Sequence, residues 1–131
     1  MATFDTNGLL GAIGGDPKNF TVYVFVPSLT RDGEPIDHEA WRGKALHEMA
    51  SIFGGATAME GSGAWRDDDR GGEVKVERIS TVSSLMAESD WNEEKVSRLA
   101  RFLHQMGREA NQGEIGLVVD GQYFPIREFD K

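Results

Sequence analysis

The sequence predicts an α+β domain, a ferredoxin-like split βαβ sandwich with the order β-α-β-β-α-β and a short C-terminal hairpin strand. Three observations lead to this class. Apolar residues alternate at a spacing of two in several short segments, as strands require. They recur at spacings of three and four in two longer segments, as amphipathic helices require. The order of these segments places two helices on one face of an antiparallel sheet and leaves the other face open.

Residues 1–19 are predicted to form a flexible or docking arm ahead of a single α+β domain over residues 20–131. Four glycines and Pro17 interrupt the arm and argue against a regular element. Its few apolar side chains, including Leu9 and Ile13, offer a contact to the core or to a second subunit.

The first strand and the first long helix carry clear local signals. Residues 20–27 are nearly all β-branched or aromatic on both faces, which predicts a central strand that Pro27 ends. The apolar stripe over residues 38–53 predicts a helix. Asp37 stands at the N-cap position, and Gly54-Gly55 supplies a left-handed stop.

A long hairpin is predicted next. Its arms, residues 56–66 and 73–85, flank a polar tip that ends in two glycines. Gly61 and Gly63 in the first arm indicate a bulge or bend. A second bulge is predicted near Glu77-Arg78, because Val74 and Val76 face one way whereas Ile79 and Leu85 are out of phase with them.

The last helix and a terminal hairpin complete the domain. A regular apolar stripe predicts the helix over residues 91–111, with Asp90 as its N-cap and Gly113 as its stop. Residues 115–119 then alternate into Asp120-Gly121, a strong signal for a tight hairpin turn, and a short strand returns after it.

Composition restricts the chemistry. The chain has 131 residues, with 14 Lys and Arg against 22 Asp and Glu, and a formal net charge of −8. This acidity argues against broad contact with nucleic acid or an anionic membrane. The absence of Cys excludes disulfides, thiolate metal sites and a cysteine nucleophile. No signal peptide or membrane helix is recognisable, so a cytoplasmic protein of bacterial type is expected.

One candidate site lies on the last predicted helix. His104, Gly107 and Asn111 form a line beside its apolar stripe, and Arg108 lies next to that line. A glycine inside a helix costs about 1 kcal/mol relative to alanine, so close packing or access is expected at Gly107. The polar groups can hold an anion or a carboxylate. The alternative is a helix edge whose histidine is hydrogen-bonded to the sheet.

The second candidate site lies on the hairpin. Trp65 and Arg66 suit stacking on a planar ligand or a protein interface. Glu77 on the other arm can pair with Arg66 across the strands, or act as a general base if it is buried. The alternative is that Trp65 serves only in packing.

Metal and phosphate sites are not supported by the sequence. The triplet Asp67 to Asp69 lacks the alternate spacing and distal glutamate of a calcium loop. The three histidines are scattered, with no zinc motif. No glycine-rich phosphate loop is present. No metal and no cofactor are therefore predicted.

Three stretches resemble a family of small uncharacterised bacterial proteins: FGGATA from Phe53, GAWRDD from Gly63, and LHQMGREANQGE from Leu103 followed by Gly116 and Asp120-Gly121. The resemblance spans about residues 20–127. It implies a shared surface to which the following residues belong: Trp65, Glu77, His104, Arg108, Asn111 and Gln112.

Three functions from different classes follow from these observations. The leading hypothesis is a non-enzymatic binding or accessory module that self-associates or binds a protein partner through the open sheet face or its edges. Its ligand or interface residues are Trp65, Arg66, Asn111 and Gln112. The second is a metal-independent hydrolase or nuclease, with His104 as general acid and base, Glu77 as its partner and Arg108 as anion stabiliser. The third is a regulatory module that senses a small anion with the same residues.

Overall fold

The computed structural model describes residues 5–129. Helices α1, α2 and α3 span Thr6–Ile13, His38–Phe53 and Glu93–Glu109. Strands β1 to β5 span Phe20–Val26, Thr57–Asp67, Glu73–Met86, Ile115–Val119 and Gln122–Ile126. Short 3₁₀ turns occupy Asp68–Arg70 and Glu88–Asp90. Within residues 5–129, no helix is long and apolar enough to cross a membrane.

The five strands form one sheet in the order β2-β3-β1-β4-β5, and every neighbouring pair is antiparallel. The predicted α+β class is therefore confirmed. Strand β1 lies at the centre of the sheet, as its two apolar faces predict.

Helices α2 and α3 cover one face of the sheet. Val22, Val24 and Val26 of β1 are completely buried in the same apolar cluster as Met49 of α2 and Leu103 of α3. Because side chains alternate along a strand, Tyr23 and Phe25 project from the opposite face. That open face is where the candidate site forms.

Helix α2 has the predicted limits. The Asp37 carboxylate accepts a hydrogen bond from the Ala40 N–H at 3.0 Å, which satisfies a free donor of the first turn. Gly54 ends the helix at φ +96°, and its N–H donates to the Ala50 carbonyl at 2.8 Å.

The N-terminal segment differs from the prediction within the described part of the chain. Residues 6–13 form helix α1, because the Asp5 carboxylate caps the Gly8 N–H at 3.0 Å and Gly14 closes the helix at φ +82°. These two local caps outweigh the glycines inside the helix. No residue of α1 is buried, and residues 1–4 lie outside the described part.

The β2–β3 hairpin forms, but it has no bulge at Gly61 and Gly63 and none near Glu77-Arg78. The register runs without interruption from Thr57 opposite Ser83 to Asp67 opposite Glu73. The apolar residues of β3 change from one face of the sheet to the other for another reason. Val74 and Val76 share the helix-side face but extend beyond the helices, and they are exposed.

The limits of α3 also differ from the prediction. Asn92 is the N-cap, accepting from the Lys95 N–H at 3.0 Å, while Asp90 accepts from the Ala87 N–H at 3.0 Å in the preceding 3₁₀ turn. At the other end, Asn111 takes the left-handed conformation, with φ +48°, two residues before Gly113.

The C-terminal hairpin is confirmed. Asp120 and Gly121 adopt φ +49° and +77°, the pair of positive values that a tight type I′ turn requires. Strand β5 pairs with β4 and becomes the outer strand on that side of the sheet.

Candidate functional site

A cavity of about 460 Å³ lies on the open face of the sheet, and we call it the open-face pocket. Residues of all five strands border it, together with the loop after β1 and the loop after α3. Its lining includes Phe25, Trp65, Arg66, Lys75, Glu77, Ile79, Gln112, Glu114, Tyr123 and Arg127. The volume lies within the range of small-molecule sites.

Glu77 is the buried acidic group of this pocket. Only 8% of the residue is exposed, and Oε1 accepts a hydrogen bond from the Ser28 backbone N–H at 2.9 Å. Burial raises the pKa of Glu77, although the N–H groups of Ser28 and Leu29 and the nearby His38 act in the opposite direction. A carboxyl group in this environment can accept hydrogen bonds from a ligand or hold a proton.

The loop that donates to Glu77 is fixed from two sides. His38 Nδ1 lies 2.8 Å from the Pro27 carbonyl, to which it donates, and Nε2 lies 2.8 Å from the Ser80 hydroxyl. The Gln112 side-chain amide donates to the Leu29 carbonyl at 2.8 Å. The N–H groups that face Glu77 are therefore held in place before any ligand binds.

Aromatic rings form the apolar walls of the pocket. Phe25, Trp65 and Tyr123 all line it, and two glycines leave room beside the rings. A Cβ on Gly116 would lie 2.8 Å from the Tyr123 ring, and one on Gly63 would lie 3.3 Å from the Trp65 ring. Planar ligands stack on such surfaces.

The hydroxyl of Tyr123 is engaged at the rim. It donates to Glu114 Oε2 at 2.6 Å, and Arg127 Nε donates to Glu114 Oε1 at 2.9 Å. Burial raises the pKa of Tyr123 above its usual range, and the bond to Glu114 adds to this effect. The hydrogen bond holds the ring over Gly116, where an added Cβ would lie 2.8 Å from Cε1 and 2.9 Å from the hydroxyl oxygen of Tyr123.

Charged side chains join the loop after β1 to the hairpin tip. The Arg31 carbonyl accepts from Lys75 Nζ at 3.2 Å and from Arg70 Nη1 at 3.3 Å. Asp32 forms an ion pair with Arg70, and this guanidinium holds the pKa of Asp32 below its usual range. The contacts close one end of the open-face pocket.

Four of the residues selected from the sequence meet at this pocket: Trp65, Arg66, Glu77 and Gln112. The predicted pairing of Arg66 with Glu77 is not formed. In the register, Arg66 lies opposite Val74, and its guanidinium binds Asp68 at 2.5 Å.

The other selected residues lie outside the lining of the pocket. His104 packs edge-on against Phe129, with ring centroids 6.1 Å apart, and its buried Nδ1 has no hydrogen-bond partner within residues 5–129. Arg108 donates to the Phe129 carbonyl at 3.4 Å. Asn111 lies at the other end of the loop network, where its Nδ2 is 3.4 Å from Asp32 Oδ2.

The expected close packing at Gly107 is confirmed. A Cβ there would lie 2.2 Å from the Phe129 ring, so only glycine permits this contact. The feature that marked the helix as a candidate site therefore has a packing explanation.

Within the described ranges, no group of three or more His, Cys, Asp or Glu is placed to hold a metal ion. Carboxylates of the acidic triplet at the hairpin tip form ion pairs with basic side chains. Asp67 pairs with Lys75 at 3.2 Å and Asp69 with Arg31 at 3.9 Å.

Sequence reasoning did not select His38, Ser28 or Tyr123 as site residues. His38 occupies the first turn of α2, where its helix position gave no sign that its ring would reach Ser80. Tyr123 follows the hairpin turn in alternation, and the small Gly116 opposite this region was the available signal for a ring packed over the sheet.

Comparisons with known proteins show similarity of fold. The structure of a phage SAM lyase in complex with S-methyl-5′-thioadenosine has a TM-score of 0.66 at 12% identity, covering 88% of this chain and 95% of that chain. The phage SAM lyase in its apo state has a TM-score of 0.57 at 12% identity, covering 83% and 89%. No family model and no curated protein matches the sequence. The resemblance to small bacterial proteins stays a prediction.

Proposed function

We propose that this chain is a small-molecule-binding module whose open-face pocket holds a nucleoside thioether or a closely related planar ligand. The observation that carries the proposal is the position of Glu77, a carboxyl group 8% exposed within a cavity of about 460 Å³ that is walled by aromatic rings. Buried acidic groups without a cationic partner cost stability, and sites that bind ligands retain them for that purpose.

The chemistry of the walls supports a nucleoside in particular. Trp65 and Tyr123 offer ring faces on which a base can stack. Glu77 offers a carboxylate oxygen to ribose hydroxyl groups, the role that acidic residues take in dinucleotide sites. The apolar ring of Phe25 suits a thioether, which has no strong hydrogen-bonding group. The complex of the similar phage enzyme with S-methyl-5′-thioadenosine agrees with this class of ligand.

Calorimetric titration with S-methyl-5′-thioadenosine tests the proposal directly. Binding to the wild type is expected, and Trp65→Ala should weaken it about tenfold or more, because base stacking contributes about 1–3 kcal/mol. Glu77→Gln should also weaken binding, since the amide replaces a charged acceptor while its oxygen still accepts from Ser28.

Trp91→Ala is the matched control. Trp91 is 37% exposed, close to the 43% of Trp65, but its ring stacks on Phe53 and does not line the pocket. This variant should bind as the wild type does. Absence of binding to the wild type at millimolar ligand, or equal losses in the two tryptophan variants, would refute the proposal.

A second candidate is lyase activity on SAM itself. Aromatic faces beside a carboxylate are suited to an organic cation such as a sulfonium, and Glu77 supplies that carboxylate among Phe25, Trp65 and Tyr123. Incubation with SAM, followed by chromatography for S-methyl-5′-thioadenosine, separates the two. Release above the uncatalysed rate that is lost in Glu77→Gln supports the enzyme, and binding without release supports the module.

The hydrolase and anion-sensor hypotheses receive less support from the geometry. Both depend on His104 and Arg108, which contact Phe129 and do not line the pocket with Glu77. A cytoplasmic location stays a prediction.

We also propose that the architecture is ferredoxin-like with an added edge strand. The order β2-β3-β1-β4 supports this, since each helix-containing connection passes over one intervening strand. Strand β5 then extends the sheet beyond β4.

A further inference from the structure

The two edges of the sheet differ in how well they are protected. Strand β5 is short, with 5 residues, and includes Pro125, which has no N–H to offer. Strand β2 is an edge of 11 residues without proline or lysine, and all its ladder partners lie on β3. A long, regular edge of this kind is a template for pairing with another strand.

Exposed apolar side chains follow the same edge. Met59 is 71% exposed and Trp65 is 43% exposed, and both project from the open face because their positions differ by an even number. We propose that this chain forms a two-fold dimer in which β2 pairs antiparallel with β2 of a second copy, making one continuous sheet.

The sequence of β2 selects one register. Only alternate residues of an edge strand point their N–H and C=O groups outward, so paired residues must differ by an even number of positions. Full overlap then places Ser62 opposite Ser62 of the partner subunit. Every other even register shortens the ladder.

This register is self-complementary. It brings Met59 opposite Trp65 of the partner subunit, twice by symmetry, and so covers the exposed apolar side chains. Charged residues meet neutral ones: Glu60 faces Ala64 of the partner subunit, and Arg66 faces Ala58 of the partner subunit. No two like charges are opposed, as a homodimer requires.

The pairing at the symmetry axis provides a specific test by sedimentation over a concentration series. Ser62→Lys places two ammonium groups across the axis, and Ser62→Asp places two carboxylates there. Each variant alone should associate about fivefold more weakly than the wild type. An equimolar mixture should regain wild-type association, because unlike charges then face each other. Ser51→Lys, an exposed change on α2, is the matched control and should associate as the wild type does.

Hydrogen exchange at low and high protein concentration locates the contact independently. Alternate amides of β2 should become protected as the concentration rises, whereas those of β5 should not change. A wild type that stays monomeric at high micromolar concentration overturns the proposal. So does a dimer in which the Ser62 variants associate normally, or in which β2 gains no protection. These outcomes do not depend on ligand binding, so failure here leaves the pocket proposal unaffected.

Discussion

The contact between α3 and the C-terminal segment makes Gly107→Ala a sharp test of the structure. The added Cβ would lie 2.2, 2.3 and 2.5 Å from Cδ1, Cε1 and Cγ of Phe129. Carbon atoms in contact rest at about 3.5–4.0 Å, so the ring must retreat by more than about 1 Å. Rotation of the ring cannot achieve this, because Cγ lies on the rotation axis. The whole side chain of Phe129 must move away from the helix.

Two opposed effects determine the free energy of unfolding. Alanine in place of glycine inside a helix stabilises by about 1 kcal/mol. Overpacking costs about 1–3 kcal/mol, so Gly107→Ala alone should destabilise the protein by about 1 kcal/mol. In a Phe129→Ala background the obstacle is gone, and the same substitution should stabilise by about 1 kcal/mol. The coupling energy between the two positions is then about 2 kcal/mol.

Urea unfolding of the four proteins, followed by far-ultraviolet circular dichroism, measures this cycle. The expected result is a change of sign for Gly107→Ala between the two backgrounds. If the substitution has the same effect in both, Phe129 does not pack on Gly107, and the edge-on ring contact between Phe129 and His104 is refuted as well.

Two predictions concern the pocket itself. Because burial raises the pKa of Glu77, its contribution to stability should fall as pH rises from the ordinary value of 4.5 through the raised one. Glu77→Gln should therefore melt at a higher temperature than the wild type, and this difference should grow from pH 4 to pH 8. A difference that does not change with pH would contradict the raised pKa of Glu77. Tyr123→Phe removes the 2.6 Å bond to Glu114 but keeps the ring. It should destabilise by about 1 kcal/mol in urea unfolding and leave ligand stacking in place, whereas loss of binding would show that the hydroxyl contacts the ligand.

The sequence was sufficient to predict an element where a single local interaction determines its limits. Helix α2 has its predicted limits because Asp37 and Gly54 each satisfy free backbone groups at one end. The Asp120-Gly121 turn was predicted for the same reason, since two consecutive positive φ values admit few residue types. The α+β class followed once these elements were placed in order.

The predictions were wrong where the position of a side chain depended on which elements cover each face of the sheet. The apolar residues of β3 were interpreted as one face interrupted by a bulge, but Val76 extends beyond the helices on one face and Ile79 lines the pocket on the other. The site shows the same limit. Glu77 lies 49 positions from Ser28, and the pairing of β1 with β3 brings the two together.

The distribution of burial along β3 supports the proposed role of the open-face pocket as a binding site. Near the hairpin tip, Val74 and Val76 on the helix-side face are 64% and 67% exposed, whereas Glu77 on the other face is 8% exposed. Folding for stability alone would place the valines inside and the carboxyl group in water. The reverse arrangement requires the loop after β1 to cover Glu77, and that loop is held by His38, Gln112 and the Arg31 carbonyl contacts. A buried carboxyl group that is enclosed by this many hydrogen bonds is expected where the group binds a ligand.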